Sequence, residues 1–247
     1  MENTTAIEIK KHKPMKMSTM DWVYLAIFMA TVAFVVAMRL RNGFGNILWI
    51  ADISTLFGVA YAIFLAKGRF IAFPLNIIST IILGVISVMQ AVWLNGVLTL
   101  LIALPMTTLA MFNYKKNQIG EGEAAEPTVK RLSAKQLMYL LPAMLGAIVA
   151  LMLLLYYVGG NVWYLDALVF VTTATALVLL SNQYLEMFHF FLLANAFNIA
   201  MFIMLSFQNI NNMSMLFLFG VFTITNAIGL YNWLRMYRRQ QETKKSA

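Results

Sequence analysis

Apolar runs of about 17–25 residues recur along this chain, each long enough for an α-helix to cross a hydrocarbon core. Eight such spans are predicted, at 22–38, 47–66, 71–90, 94–112, 137–157, 164–181, 187–206 and 213–234. Inside a bilayer the backbone has no water to bond to, so a chain with this pattern folds as helices that satisfy their own N–H and C=O groups. Composition agrees, because 61% of the 247 residues are hydrophobic and 11% are charged. The fold class is therefore an all-α polytopic bundle, with the lipid bilayer as its first partner.

The eighteen Lys and Arg lie between or beyond the spans, so topology accounts for them and no nucleic-acid partner is needed. With the N-terminus in the cytoplasm, sixteen of them fall inside and only Arg39 and Arg41 outside. Both termini are thus predicted to be cytoplasmic. A seven-span arrangement, with 22–38 lying on the surface, spoils that bias. The stretch MENTTAIEIKKHKPMKM has no small-residue cleavage site after the apolar run that follows it, and 22–38 is expected to be a retained helix rather than a signal peptide.

Chemistry is sparse. The chain has no cysteine, and its two histidines, His12 and His189, are far apart, so no thiol chemistry and no metal site is expected. P-loop, H-E-x-x-H and G-x-S-x-G signatures are missing, which leaves an enzyme without a catalytic pair and calls for no cofactor.

Internal similarity organises the rest. Trp49-Ile50-Ala51-Asp52 and Trp163-Tyr164-Leu165-Asp166 share W-x-x-D, while Phe112-Asn113-Tyr114 and Tyr231-Asn232-Trp233 share aromatic-Asn-aromatic ahead of basic residues. Asn76 and Asn195 are separated by the same 119 positions as Asn113 and Asn232. The predicted plan is a cytoplasmic tail and extra N-terminal helix (1–46), a three-helix repeat (47–114), a solvated linker and connecting helix (115–162), a second three-helix repeat (163–235) and a basic tail (236–247). A single connecting helix makes the two repeats parallel, a 3+1+3 bundle.

The candidate site lies in FHFFLLANAFNIAMF. Phe188, Phe191, Asn195, Asn198 and Phe202 are three or four residues apart and share one helical stripe. Amides fix hydroxyls or a carboxamide and aromatic faces stack on a flat ring, so the stripe suits a small polar ring or a sugar. The alternative is interhelical adhesion between polar side chains. Asn76, which also suits a helix-end role beside Pro74, and Asn226 join the candidate list, while Gln90, Trp93 and Asn95 lie at an outer turn. Asp52 and Asp166 sit at outer helix starts, where a carboxylate complements the helix dipole. Pro105 is expected to interrupt the fourth span, Pro142 to start the fifth, and Glu186 to be solvated.

The stretches 70–117 and 165–235 resemble the PnuC family of bacterial vitamin transporters, typified by nicotinamide riboside uptake. The likeness rests on LPM with its aromatic-rich end and KKN, the LD opening the sixth span, the aromatic-x-x-x-Asn of the seventh, and the closing G-x-Y-N-W. It implies a SWEET-like duplicated bundle in the bacterial inner membrane, often a homotrimer. Such a bundle lets an unphosphorylated vitamin diffuse in for kinases to trap. The family's W-x-x-x-N falls on Phe191 and Asn195, its Gln-Trp pair reads Met187-Phe188, and the Gln and Trp expected after LPM read Thr107 and Met111. Nicotinamide riboside is the default substrate, with thiamine, riboflavin and deoxynucleosides as alternatives. A membrane scaffold or sensory subunit without transport is the reading from another class.

Overall fold

The computed structural model describes residues 19–42, 48–89, 98–119, 126–158, 162–207 and 213–246. Gln90, Trp93 and Asn95 lie outside the described residues. Eight α-helices are present among them: α1 (Thr19–Asn42), α2 (Leu48–Ala66), α3 (Ala72–Met89), α4 (Leu104–Asn117), α5 (Ala134–Val158), α6 (Trp163–Ser181), α7 (Met187–Ser206) and α8 (Met213–Ser246). Five segments, within α1, α5, α6, α7 and α8, are long and apolar enough to cross a membrane, and Asp52–Ala66 and Ala72–Val85 are shorter apolar helices.

A π-helical turn, Leu98–Ala103, leads into α4, where Pro105 occupies the first turn. Because Ala103 before it is already helical, Pro105 denies the preceding turn one N–H, and the change from π- to α-helix falls at this point. The expected interruption is thus a change of helix type just before Pro105. Pro142, by contrast, does not start its helix: α5 begins at Ala134 and carries Pro142 in its interior.

Six helices close a ring. α2 packs on α3, α3 on α4, α4 on α6, α6 on α7, α7 on α8, and α8 returns to α2. α1 packs outside on α2 and α8, and α5 outside on α6. Most of the α5 surface is exposed, including Leu141, Leu145, Leu153 and Tyr157, as suits a helix that faces lipid on most sides.

Two tight corners join α2 to α3 and α6 to α7 at the same end of the bundle. Gly68 (φ 64°) and Gln183 (φ 62°) both take the left-handed conformation. At the first corner Gly68 N–H donates to Leu65 O at 2.8 Å and Arg69 N–H to Phe64 O at 2.9 Å. At the second, Gln183 N–H donates to Leu180 O and Tyr184 N–H to Leu179 O, both at 3.0 Å. Each is a Schellman C-cap, with its 5→2 and 6→1 bonds. The next helices start alike, with Ala72 N–H donating to Arg69 O and Met187 N–H to Tyr184 O. Every partner in the second corner lies 115 positions after its counterpart in the first.

That spacing corrects the register read from sequence. α2 and α6, with their 19 residues each, also start and end 115 apart, so W-x-x-D, at 114, is one residue out of step. Asn76 corresponds in place to Phe191, and the counterpart of Asn195 is Thr80. Two further contacts are related by the 119 spacing. Asn113 on α4 donates to Ser181 O, the last residue of α6, at 2.6 Å. Asn232 on α8 donates to Ala66 O, the last residue of α2, at 3.2 Å.

The interval after α4 is less solvated than expected. Pro127 and Val129 are buried. Lys130 N–H donates to Gln183 O at 3.0 Å and its carbonyl accepts from Leu185 N–H at 2.9 Å, which straps the segment to the second corner. Glu186 is no free surface acid: its Oε2 accepts from Leu132 N–H at 3.1 Å, and Oε1 pairs with Arg131 at 3.3 Å. The basic stretch after 235 continues α8, and Gln240 holds the strap by accepting from Val129 N–H and donating to Pro127 O.

Candidate functional site

The corner end lies in the larger of the two buried hydrophobic clusters found among the described residues. Phe73 and Tyr114 meet at 5.4 Å between ring centroids, and Phe188 meets Trp233 edge-on at 5.5 Å. Trp233 Nε1–H donates to Leu65 O at 2.8 Å, so its one polar atom is satisfied in the α2 cap. Beyond this floor lie buried or partly buried polar side chains on three helices. At a rise of 1.5 Å per residue, Asn76 lies about 6 Å and Asn195 about 12 Å along their helices from the corner, and Tyr61 about 7.5 Å back along α2.

Asn195 stands apart from the other amides. It is 6% exposed, and its Nδ2 is buried with no hydrogen-bond partner among the described residues. An unpaired amide in an apolar setting costs about 1–3 kcal/mol by mutational measures. Asn198, one turn further along the stripe, is answered within its own helix, since its Nδ2 donates to Ala194 O at 2.9 Å. Asn226 is buried, and its side chain has no hydrogen bond among the described residues. Asn76 is answered, donating to Thr107 Oγ1 at 2.8 Å.

The three candidate phenylalanines differ. Phe188 is fully buried, and a Cβ added at Gly229 would meet its ring at 2.5 Å, so that ring fills the core against Gly229 and Trp233. Phe202 stacks on Phe219 of α8 at 5.5 Å and 23°. Phe191, partly buried beside the core, has no ring contact of that kind among the described residues. None of the seven candidates hydrogen-bonds to another among the described residues. They are spread along the bundle, from Phe188 at the corner end to Phe202 near the far end of α7, rather than joined in one bonded cluster.

Sequence reasoning missed Tyr61. Its hydroxyl is the second buried side-chain atom without a partner among the described residues. One tyrosine within an apolar helix gives no sign of this; only the packing that seals the hydroxyl reveals it. Of the two acids near helix starts, Asp52 on α2 forms an ion pair with Arg39 on α1. Among the described residues no group of three His, Cys, Asp or Glu is placed to hold a metal.

Comparison with known proteins places this arrangement. The model of the family described as "nicotinamide mononucleotide transporter" matches residues 48–235, which leaves α1 aside. A nicotinamide riboside transporter PnuC from Neisseria mucosa is 23% identical over 194 residues, covering 77% of this chain and 74% of that protein. The crystal structure of the vitamin B3 transporter PnuC superposes with a TM-score of 0.73 at 19% identity, covering 88% of this chain and 92% of that one.

Proposed function

The chain belongs to the nicotinamide mononucleotide transporter (PnuC) family, and on that premise we propose that it facilitates diffusion of nicotinamide riboside across the bacterial inner membrane. The observation that carries this reading is the buried Nδ2 of Asn195. A buried donor that no side chain or carbonyl answers among the described residues is open to an oxygen of the substrate. Tyr61, Asn226 and Phe191 complete the proposed contacts, with Phe202 and Asn198 lining and Asn76 bracing α3 to α4. Phe188 forms the floor.

The riboside is favoured over the mononucleotide on electrostatic grounds. No Lys or Arg occurs between Arg69 and Lys115, or between Lys135 and Arg235. A phosphate at mid-membrane would have no cation to meet it, whereas the pyridinium of the riboside suits aromatic faces. Intracellular phosphorylation then prevents return.

All eight helices span the membrane in this reading, with both termini and both corners cytoplasmic. The ring contacts and the matching Schellman corners support a parallel duplication of α2–α4 in α6–α8. Each half caps the other through Asn113 and Asn232. Alternating access would then separate Phe188 from Trp233 and Phe73 from Tyr114 at the cytoplasmic floor. A homotrimer, as the resemblance implies, is part of the proposal. The test is a thermal-shift panel on purified protein with nicotinamide riboside, thiamine, riboflavin and nucleosides. The riboside should give the largest stabilisation in the wild type and none in Asn195→Ala; stabilisation by another compound alone would reassign the substrate.

A further inference from the structure

We propose that the cavity between α1, the α2–α3 corner and α8 is a binding site for a phosphate-bearing anion, separate from the transport route. The cavity has a volume of about 420 Å³, within the range of small-molecule sites. Four cations converge on it from two distant parts of the chain: Lys67 and Arg69 on either side of Gly68, and Arg235 and Arg239 one turn apart on α8. Two acids share it, Asp21 of α1 and Glu126 of the strap.

The acids are each taken by one cation. Lys67 Nζ lies 2.6 Å from Asp21, and Arg239 lies 3.2 Å from Glu126. The guanidinium groups of Arg69 and Arg235 make no ion pair or hydrogen bond among the described residues. Among the described residues the lining thus sets four cations against two acids, a formal charge of +2, with two guanidinium groups facing the cavity. Planar guanidinium forks match phosphate oxygens in bidentate fashion, which makes a phosphate group the fitting counter-charge.

Two blander roles for these cations fail. A cation at a helix C-terminus often caps the last carbonyls. Here those carbonyls are occupied: Ile63 O accepts from Lys67 N–H, Phe64 O from Arg69 N–H, Leu65 O from Gly68 N–H and Trp233, and Ala66 O from Asn232. The topological bias of basic residues depends on their number at one membrane face, not on convergence. Lys115, Lys116 and Lys135 serve that bias without lining the cavity. Asn232 and Tyr24, bonded to each other at 2.9 Å, form the polar inner wall.

An anionic lipid headgroup and a soluble phosphate supply the same chemistry, so the experiment has two arms. In the first, protein in phosphatidylcholine nanodiscs is titrated with inorganic phosphate at constant ionic strength, and the thermal midpoint is followed. In the second, protein purified from mixed phosphatidylcholine and phosphatidylglycerol is examined by native mass spectrometry for retained lipid. The variants are Arg69→Gln/Arg235→Gln, and Arg69→Lys/Arg235→Lys, which keeps the charge without the fork. Saturable stabilisation by phosphate, weakened at least tenfold in the Gln variant and less in the Lys variant, identifies a soluble ligand. Selective retention of phosphatidylglycerol, reduced by a similar factor, identifies the lipid. Failure of the wild type to bind either probe, or equal binding by wild type and the Gln variant in both arms, overturns the proposal. Both side chains are exposed, so folding of the variants is checked simply by their melting without anion.

Discussion

Replacing Asn195 by Leu should separate activity from stability. Leu keeps the branching at Cγ and removes both polar atoms, so the substitution deletes an N–H that has no partner among the described residues. With no hydrogen bond lost and an unpaired buried amide removed, the ligand-free protein should be as stable as the wild type or more stable, by about 1–3 kcal/mol. Asn232→Leu is the matched control. It strips a donor from Tyr24 Oη at 2.9 Å and from Ala66 O at 3.2 Å, and should destabilise by about 1–3 kcal/mol. The assay is reversible unfolding in mixed micelles titrated with sodium dodecyl sulfate, followed by far-ultraviolet circular dichroism. If Asn195→Leu loses as much stability as Asn232→Leu, then Asn195 holds helices together and the reasoning from its orphaned donor is refuted.

Other predictions concern the frame. Asn113→Leu should destabilise to a similar degree as Asn232→Leu, because Asn113 makes the mirror contact to Ser181 O; the same micelle titration checks it. Gly229→Ala should cost about 1–3 kcal/mol, since its Cβ meets Phe188 at 2.5 Å and Ala66 at 3.2 Å; the unfolding midpoint reads this. Gly68→Ala places a side chain at φ 64° and 3.0 Å from Pro127, so a loss of about 1–2 kcal/mol is expected, while Gln183→Gly tests the other corner by trading its buried side chain for freedom at the same φ. Nicotinamide mononucleotide should fail to compete with the riboside for uptake at tenfold excess, measured with labelled substrate.

What could be read in the sequence was what one segment decides alone. The long apolar runs predict helices because length and hydropathy belong to each run separately, and eight helices occur among the described residues. Asn113 and Asn232 were matched by their aromatic settings ahead of basic residues, and each donates to the last carbonyl of a helix, Ser181 O and Ala66 O. Asn76 and Asn195 were paired one turn out of register, and the reason is physical: a slip of four residues on a helix preserves the face, so the pattern of apolar and polar positions barely changes. Only the corner hydrogen bonds, fixed by Gly68 and Gln183, set the register at 115.

Polarity misled where packing outside the sequence window decided the outcome. Glu186 looked like a solvated turn acid, yet it anchors the strap through Leu132 N–H. Phe188 lay on the same stripe as Asn195, but Gly229 on another helix leaves a gap that its ring fills. Tyr61 gave no local sign because an orphaned hydroxyl is a property of the neighbours that seal it.

Uptake of labelled nicotinamide riboside into proteoliposomes tests the central claim most directly. The account predicts saturable uptake by the wild type that needs neither ATP nor an ion gradient, and its loss in Asn195→Leu with the protein still folded. Undiminished uptake by that variant, or no uptake of the riboside by the wild type, would contradict it.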